Sequence, residues 1–162
     1  MSIDALKQGG RERTYFDLAP LLMTGDERYP IIGDLLSVEK ADMICSMFKG
    51  LFLTGSCVEK NSIASHVIGG AKVLVVGAMR VLSADGRSAY GFDWNPPTEL
   101  HAWIQEGDSV IDLSLPGVII RGMMTSDEEG PFLVGLTPAI LAGPVPDWLI
   151  YEPKEFLPII PH

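Results

Sequence analysis

Residues 100–113 of the chain have the sequence LHAWIQEGDSVIDL, and this stretch decides how the centre of the fold is built. Two runs with strand character, Leu100 to Gln105 and Ser109 to Leu113, flank a Glu-Gly-Asp sequence that favours a tight turn. We therefore predict an antiparallel hairpin. It brings the neighbourhoods of His101 and Asp112 together, although the sequence leaves the pairing register open.

A second informative stretch precedes the hairpin and predicts the start of a helix. Residues 54–59 have the sequence TGSCVE, in which Ser56 and Glu59 have the spacing of a capping box. Cys57 then occupies the first helical position, where free backbone N–H groups and the helix dipole favour an anion. A thiol at that position loses its proton more easily than a free thiol, and the thiolate is the nucleophilic form.

Cys57, His101 and Asp112 together are the parts of a nucleophilic site. Such chemistry needs a thiolate, a base within about 3 Å that moves its proton, and an acceptor that fixes the tautomer of the base. The predicted helix supplies the cysteine, one strand of the hairpin supplies the histidine and the other supplies the aspartate. We therefore name these three residues as candidate catalytic residues.

Asp112 is a better candidate than Asp108 for the orienting carboxylate. Asp108 lies in the predicted turn, whereas Asp112 lies within the apolar run Val-Ile-Asp-Leu. A carboxylate in an apolar strand costs free energy unless it is hydrogen-bonded, so it needs a partner such as His101. A structural role for Asp112, through pairing with Arg80 or Arg121, is the alternative.

The remaining pattern predicts an α+β domain that spans residues 1–162. One amphipathic helix begins after Ser37 and stops at Gly50, with Cys45 on its apolar stripe, and a second runs from Cys57 to about Ile68. A long buried strand, Lys72 to Leu82, is followed by an Asp-Gly turn and a return strand. We expect the helix that carries the cysteine to pack on a small antiparallel sheet.

Both ends of the chain are harder to interpret. A short helical turn is predicted near Phe16 to Leu22. From Pro116 onward, prolines and glycines alternate with short apolar runs, which predicts a tail that wraps the core or contributes an edge strand. His66 is predicted to lie on the surface.

Composition narrows the possible partners. The chain of 162 residues has a formal net charge of −9, which argues against binding to nucleic acid or to an anionic membrane. Its two cysteines make no disulfide framework, so we expect a reducing cytoplasm. We expect no metal or other cofactor, because the spacing of histidines and cysteines contains no paired-ligand motif.

Residues 51–115 resemble the papain-like and transglutaminase-like cysteine enzymes. The resemblance rests on Gly-Ser-Cys at a helix start, then His-Ala-Trp, then Ile-Asp-Leu-Ser. It implies a papain-like or transglutaminase-like core with Cys57 as nucleophile, His101 as general base and acid, and Asp112 as the orienting carboxylate. It also implies hydrolysis or acyl transfer at an amide or acyl bond of a peptide, a protein or a small acyl substrate.

A catalytically inactive binding module on the same fold is the alternative. No glutamine stands shortly before Cys57 to act as an oxyanion donor, and Leu51 and Phe52 occupy that region.

Overall fold

The structure is a computed structural model that describes residues 2–14, 29–47, 61, 68 and 73–158. The helices in these ranges are α1 (Ile3–Gly9), α2 (Val38–Met47) and α3 (Leu115–Met124). The strands are β1 (Arg11–Thr14), β2 (Ile31–Ile32), β3 (Val73–Leu82), β4 (Ser88–Phe92), β5 (His101–Glu106), β6 (Ser109–Asp112), β7 (Ser126–Asp127), β8 (Gly130–Pro131), β9 (Ile140–Pro144) and β10 (Leu149–Pro158).

The main sheet has eight strands in the order β1-β4-β3-β5-β6-β9-β2, with β10 paired to β3. Strand β1 pairs parallel with β4, and β2 pairs parallel with β9, while the other pairs are antiparallel. The domain is therefore of mixed α and β structure, as predicted. The prediction of a small antiparallel sheet is wrong, because strands from both ends of the chain extend the sheet and add parallel pairs.

Strand β3 is the centre of this sheet, and every residue from Leu74 to Leu82 is buried. Strand β10 pairs along nearly all of one edge, from Val73 to Val81. The other edge is shared, because β5 pairs with residues 73–77 and β4 pairs with residues 79–82. The sheet therefore forks beside Gly77. A Cβ atom there would overlap the carbonyl oxygen of Glu152 and lie 3.0 Å from the indole ring of Trp103, so the fork requires glycine.

Both predicted hairpins are present. The turn between β3 and β4 contains Gly86 at φ +73°, and the turn between β5 and β6 contains Gly107 at φ +60°. Both values lie in the left-handed region that glycine adopts without steric cost. The turn chemistry in the sequence was therefore sufficient to place these two connections.

The first predicted amphipathic helix corresponds to α2. The side chain of Ser37 accepts a hydrogen bond of 3.2 Å from the backbone N–H of Lys40, which is the predicted N-terminal cap. The Lys40 ammonium group donates to the carbonyl oxygen of Ile68 at 2.7 Å and so ties α2 to a second helical segment. The predicted stop at Gly50 and the side chain of Cys45 lie outside the described residues.

Helix α3 corrects the prediction of an irregular tail after Pro116. Leu115 to Gly122 are all buried, so the helix has no polar face to produce an amphipathic pattern. Its proline lies in the first turn, where the missing N–H group costs nothing. Strand β9 is likewise not an edge strand, since it lies between β6 and β2.

The two faces of the sheet carry different cores. The face covered by α3 contains a large cluster of apolar side chains: Val75, Met79, Val81, Tyr90, Trp103, Val118, Ile119 and Leu141 are among its members. The hairpin buries Ile104, Ile111 and Leu113 in a second cluster. Trp103 is fully buried.

The chain before β2 is only partly described. Helix α1 and strand β1, which the sequence did not predict, lie at its start, and the predicted turn near Phe16 to Leu22 lies outside the described residues. Within the described ranges, no helix has the length and apolar character that a membrane crossing would require.

Candidate functional site

His101 and Asp112 form a buried pair across the hairpin. The ladder aligns Ile104 with Ile111, so Trp103 comes opposite Asp112 and His101 lies two residues further along the same face. The His101 Nε2 atom lies 2.7 Å from the Asp112 Oδ2 atom, and neither side chain is exposed to solvent. The structure therefore supplies the register that the sequence left open, and it joins two of the three candidate residues.

The Asp112 carboxylate accepts from three groups. His101 Nε2 and the Tyr151 hydroxyl both bind Oδ2 at 2.7 Å, and the backbone N–H of Ser114 donates to Oδ1 at 2.9 Å. Hydrogen bonds of this kind offset the cost of burying a carboxylate. The predicted alternative partner Arg80 instead binds Glu12 and Asp93.

Tyr151 reaches this carboxylate from strand β10, which pairs with β3 on the edge opposite to β5. It lies on β10, where its backbone aligns with Met79 of β3. Burial raises the pKa of its phenol well above the usual value, and the charge of Asp112 and the hydrogen bond to it raise it further. Tyr151 is therefore held as a neutral phenol that donates a hydrogen bond to Asp112.

Aromatic rings surround the histidine. Phe92 stacks on the His101 ring at a centroid distance of 4.8 Å, and Trp103 and Tyr151 lie at 6.1 and 6.4 Å. The Trp103 indole N–H donates to the Gln105 side chain at 3.0 Å, which fixes the ring. These rings keep water from the His101–Asp112 pair, and electrostatic interactions are stronger where water is excluded.

Asn61 connects a helical segment to both strands of the hairpin. This helical residue is fully buried, its side-chain N–H group donates to the Ala102 carbonyl oxygen at 3.0 Å, and its Oδ1 atom accepts from the Leu113 N–H group at 3.3 Å. Ala102 follows His101 and Leu113 follows Asp112. A single carboxamide thus satisfies the backbone beside each member of the pair.

The third candidate residue, Cys57, lies outside the described residues, as do its capping box and His66. Asn61 and Ile68, which are described, are both helical and fall within the helix predicted from Cys57 to about Ile68. Asp108 is exposed in the turn, in agreement with the preference for Asp112. The part of the chain that the structure describes contains no cluster of three histidine, cysteine or acidic side chains able to hold a metal ion.

Sequence reasoning missed Tyr151 and Asn61. Tyr151 contacts a residue 39 positions away, and a tyrosine within a strand gives no local sign of such a contact. Asn61 had a usable signal, because it follows Cys57 by one helical turn and is a polar residue on the side of the helix that would face the hairpin.

Comparison of the chain with protein-family models, with curated proteins and with solved structures gave no match.

Proposed function

We propose that this protein is a cysteine-dependent hydrolase or acyl transferase that acts on an amide or acyl bond, with a papain-like or transglutaminase-like core. Cys57 would be the nucleophile, His101 the general base and acid, and Asp112 the orienting carboxylate. The observation that carries the proposal is the 2.7 Å contact between His101 Nε2 and Asp112 Oδ2 in a site closed to solvent. The resemblance of residues 51–115 supports the same assignment.

The bonding of the imidazole defines its proposed role. Nε2 faces the carboxylate, so a proton exchange with Cys57 would use Nδ1. The carboxylate holds the ring in the tautomer and orientation that this exchange needs, and it stabilises the imidazolium that forms when the thiol transfers its proton. Asp112 itself stays an acceptor throughout.

The proposed reaction proceeds in two steps. The Cys57 thiolate attacks the carbonyl carbon, and collapse of the tetrahedral intermediate forms a thioester while the leaving group takes a proton from His101. Water or an amine then attacks the thioester, gives its proton to His101 and releases the acyl product, which regenerates the thiol. Water gives hydrolysis and an amine gives acyl transfer.

Cysteine alkylation provides the decisive test, because the chain contains two cysteines and one serves as an internal control. Iodoacetamide is added to the folded protein between pH 5 and 9, and mass spectrometry follows each cysteine separately. We expect Cys57 to react about ten times faster than Cys45 or more at neutral pH, with a midpoint below the value of about 8.5 for a free thiol. Equal rates at the two cysteines would overturn the proposal.

Acylation by p-nitrophenyl acetate then distinguishes an enzyme from the alternative of a binding module. The proposal predicts a burst of p-nitrophenolate and one acetyl group on Cys57, both lost in Cys57→Ser and retained in Cys45→Ser. A protein that binds ligands without chemistry gives neither signal.

A further inference from the structure

We infer that Tyr151 is a positioning residue that limits how strongly Asp112 holds the proton of His101, and so allows His101 to return that proton to a leaving group. This inference rests on the proposed function for its catalytic consequence. The contacts that support it all lie among described residues. Tyr151 adds strand β10 to the elements that form the site.

Competition for one oxygen atom is the main observation. The Tyr151 hydroxyl and the His101 Nε2 atom both lie 2.7 Å from Asp112 Oδ2, whereas Oδ1 binds the backbone of Ser114. A donor that binds the same oxygen withdraws negative charge from the bond to the histidine. The phenol therefore makes Oδ2 a weaker acceptor for the imidazolium than it would be alone.

The phenol is held in this role by its surroundings. The ring of Tyr151 packs edge-on against Trp103 at a centroid distance of 4.9 Å, and its backbone is paired with β3. Because the pKa of Tyr151 is raised well above the usual value by burial and by Asp112, the hydroxyl keeps its proton through the neutral range. The hydrogen bond to Asp112 therefore does not switch when His101 gains or loses a proton.

The groups that face the imidazole define what the phenol can influence. Among the described residues, β6 contributes the Asp112 carboxylate, β10 the Tyr151 hydroxyl, β4 the apolar ring of Phe92 and β5 the ring of Trp103. Removal of the hydroxyl leaves the carboxylate bound to Ser114 and His101, so its position is kept. The negative charge of Oδ2 then attracts the proton on Nε2 more strongly, so the imidazolium releases its proton less readily.

The test measures the titration of His101 directly by nuclear magnetic resonance of the ring nitrogens in the full-length protein. The three histidines are assigned with the variant His101→Gln. In Tyr151→Phe we expect the midpoint of the His101 titration to move upward by about 0.5–1 pH unit, a three- to tenfold loss of proton release at a given pH. An unchanged or lower midpoint would overturn the inference.

Two further variants of the protein test whether the shift of the His101 midpoint comes from the Tyr151 hydroxyl itself. Tyr90→Phe removes another buried hydroxyl, one that lies beside Thr125 at the opposite end of α3 from Ser114, and it should leave the His101 midpoint unchanged. Incorporation of a ring-fluorinated tyrosine at position 151 makes the phenol a stronger donor and should lower the midpoint. That second measurement keeps the inference testable if Tyr151→Phe does not fold.

Alkylation of the same preparations separates the two proposals. A reactive Cys57 together with an unmoved His101 midpoint overturns the role of Tyr151 and leaves the enzyme proposal intact. An inert Cys57 together with an upward shift in Tyr151→Phe overturns the enzyme proposal, while the coupling of Tyr151 to His101 stands.

Discussion

Two buried polar networks in the described part of the protein both contact Phe92, and they differ in what they can do. Arg80 is fully buried and binds Glu12 and Asp93 through its side chain, and it also donates to the carbonyl oxygens of Met79 and Phe92. The other network joins His101 to Asp112. The first ties β1 to the end of β4, and the second joins β5 to β6 and, through Tyr151, to β10.

The difference lies in whether the buried basic group can change its charge. A guanidinium group stays charged under all physiological conditions, so the Arg80 network has one state and can only hold the fold together. An imidazole changes its charge near neutral pH, and its carboxylate keeps two other donors in either state. Substitutions in the Arg80 network should therefore lower the stability of the fold, whereas substitutions in the His101–Asp112 network should change the reactivity of Cys57.

The largest expected effect is the loss of thiol reactivity in Asp112→Asn. The carboxamide has one acceptor oxygen, so it cannot accept both from the Ser114 N–H group on one side and from His101 and Tyr151 on the other. Where its NH2 group faces Nε2, the imidazole is driven to the wrong tautomer. We expect the rate of Cys57 acylation by p-nitrophenyl acetate to fall about 10²–10⁴-fold, with a melting temperature lower by only a few degrees. Stopped-flow acylation and calorimetry on the same protein measure the two effects. A large loss of stability with an unchanged acylation rate would instead make Asp112 structural.

Arg80→Met should give the opposite result. Removal of one partner from a buried ion pair leaves uncompensated charge, so we expect the free energy of unfolding to fall by about 3–4 kcal/mol. Chemical denaturation measures this value. Lys7→Met is the matched control, because Lys7 contacts the same Asp93 at 3.7 Å on the surface, and its loss should cost less than about 1 kcal/mol. Equal effects of the two variants would contradict the structural role of Arg80.

Asn61→Leu tests a contact that holds a helical residue to the hairpin and also lies beside the His101–Asp112 pair. The change leaves the buried backbone groups of Ala102 and Leu113 without their side-chain partner, so we expect a loss of about 2–4 kcal/mol in the free energy of unfolding. The exposed Asn95→Leu is the control and should change stability by less than about 0.5 kcal/mol. If Asn61→Leu matches this control in a denaturant titration, Asn61 does not join its helix to the hairpin.

Glu99→Gln should give the smallest effect, and it depends on pH. Burial raises the pKa of Glu99, and the charge of Asp93 contributes to the shift. The folded protein therefore favours the protonated carboxyl group, and this contribution to stability is complete below the ordinary pKa of 4.5 and is lost as the pH rises through the raised pKa. We expect a gain of about 1–2 °C in melting temperature at pH 7 that disappears below pH 4.5.

The exposed Glu128→Gln serves as the control for this variant and should show no such pH dependence. A melting temperature of Glu99→Gln below that of the wild-type protein at pH 7 would mean that the ionised carboxylate stabilises the fold. In that case the hydrogen bond that its Oε1 atom accepts from the Asp93 N–H group outweighs the cost of burial.

The local parts of the fold were predictable, because turn chemistry and caps act over a few residues. Ser37, Gly86 and Gly107 mark a helix start and two hairpin turns correctly. The hairpin then brought His101 and Asp112 together, and burial of a carboxylate in an apolar run correctly predicted that it would have a partner. What the sequence could not supply was the register.

The features that were missed depend on contacts between distant segments. Helix α3 is buried on all sides and therefore lacks the pattern by which a surface helix is recognised. Tyr151 reaches Asp112 only because β10 pairs with β3, and a pairing between segments that are distant in the sequence leaves no trace in either segment alone. The assignment of Cys57 stays a prediction.

The fork in the sheet has a consequence for how this protein could diversify. Strand β4 leaves the edge of β3 at Phe92, and β5 joins that edge at His101, so residues 93–100 depart and return at one point. Insertions or deletions at the exposed residues 95–98 of that loop would leave both ladders in place, whereas Asp93 and Glu99 near its ends hold contacts with Arg80 and with each other. Phe92 stacks on the imidazole just before the loop begins. Evolution or a protein engineer could thus vary the tip of this loop, close in sequence to His101, independently of the scaffold.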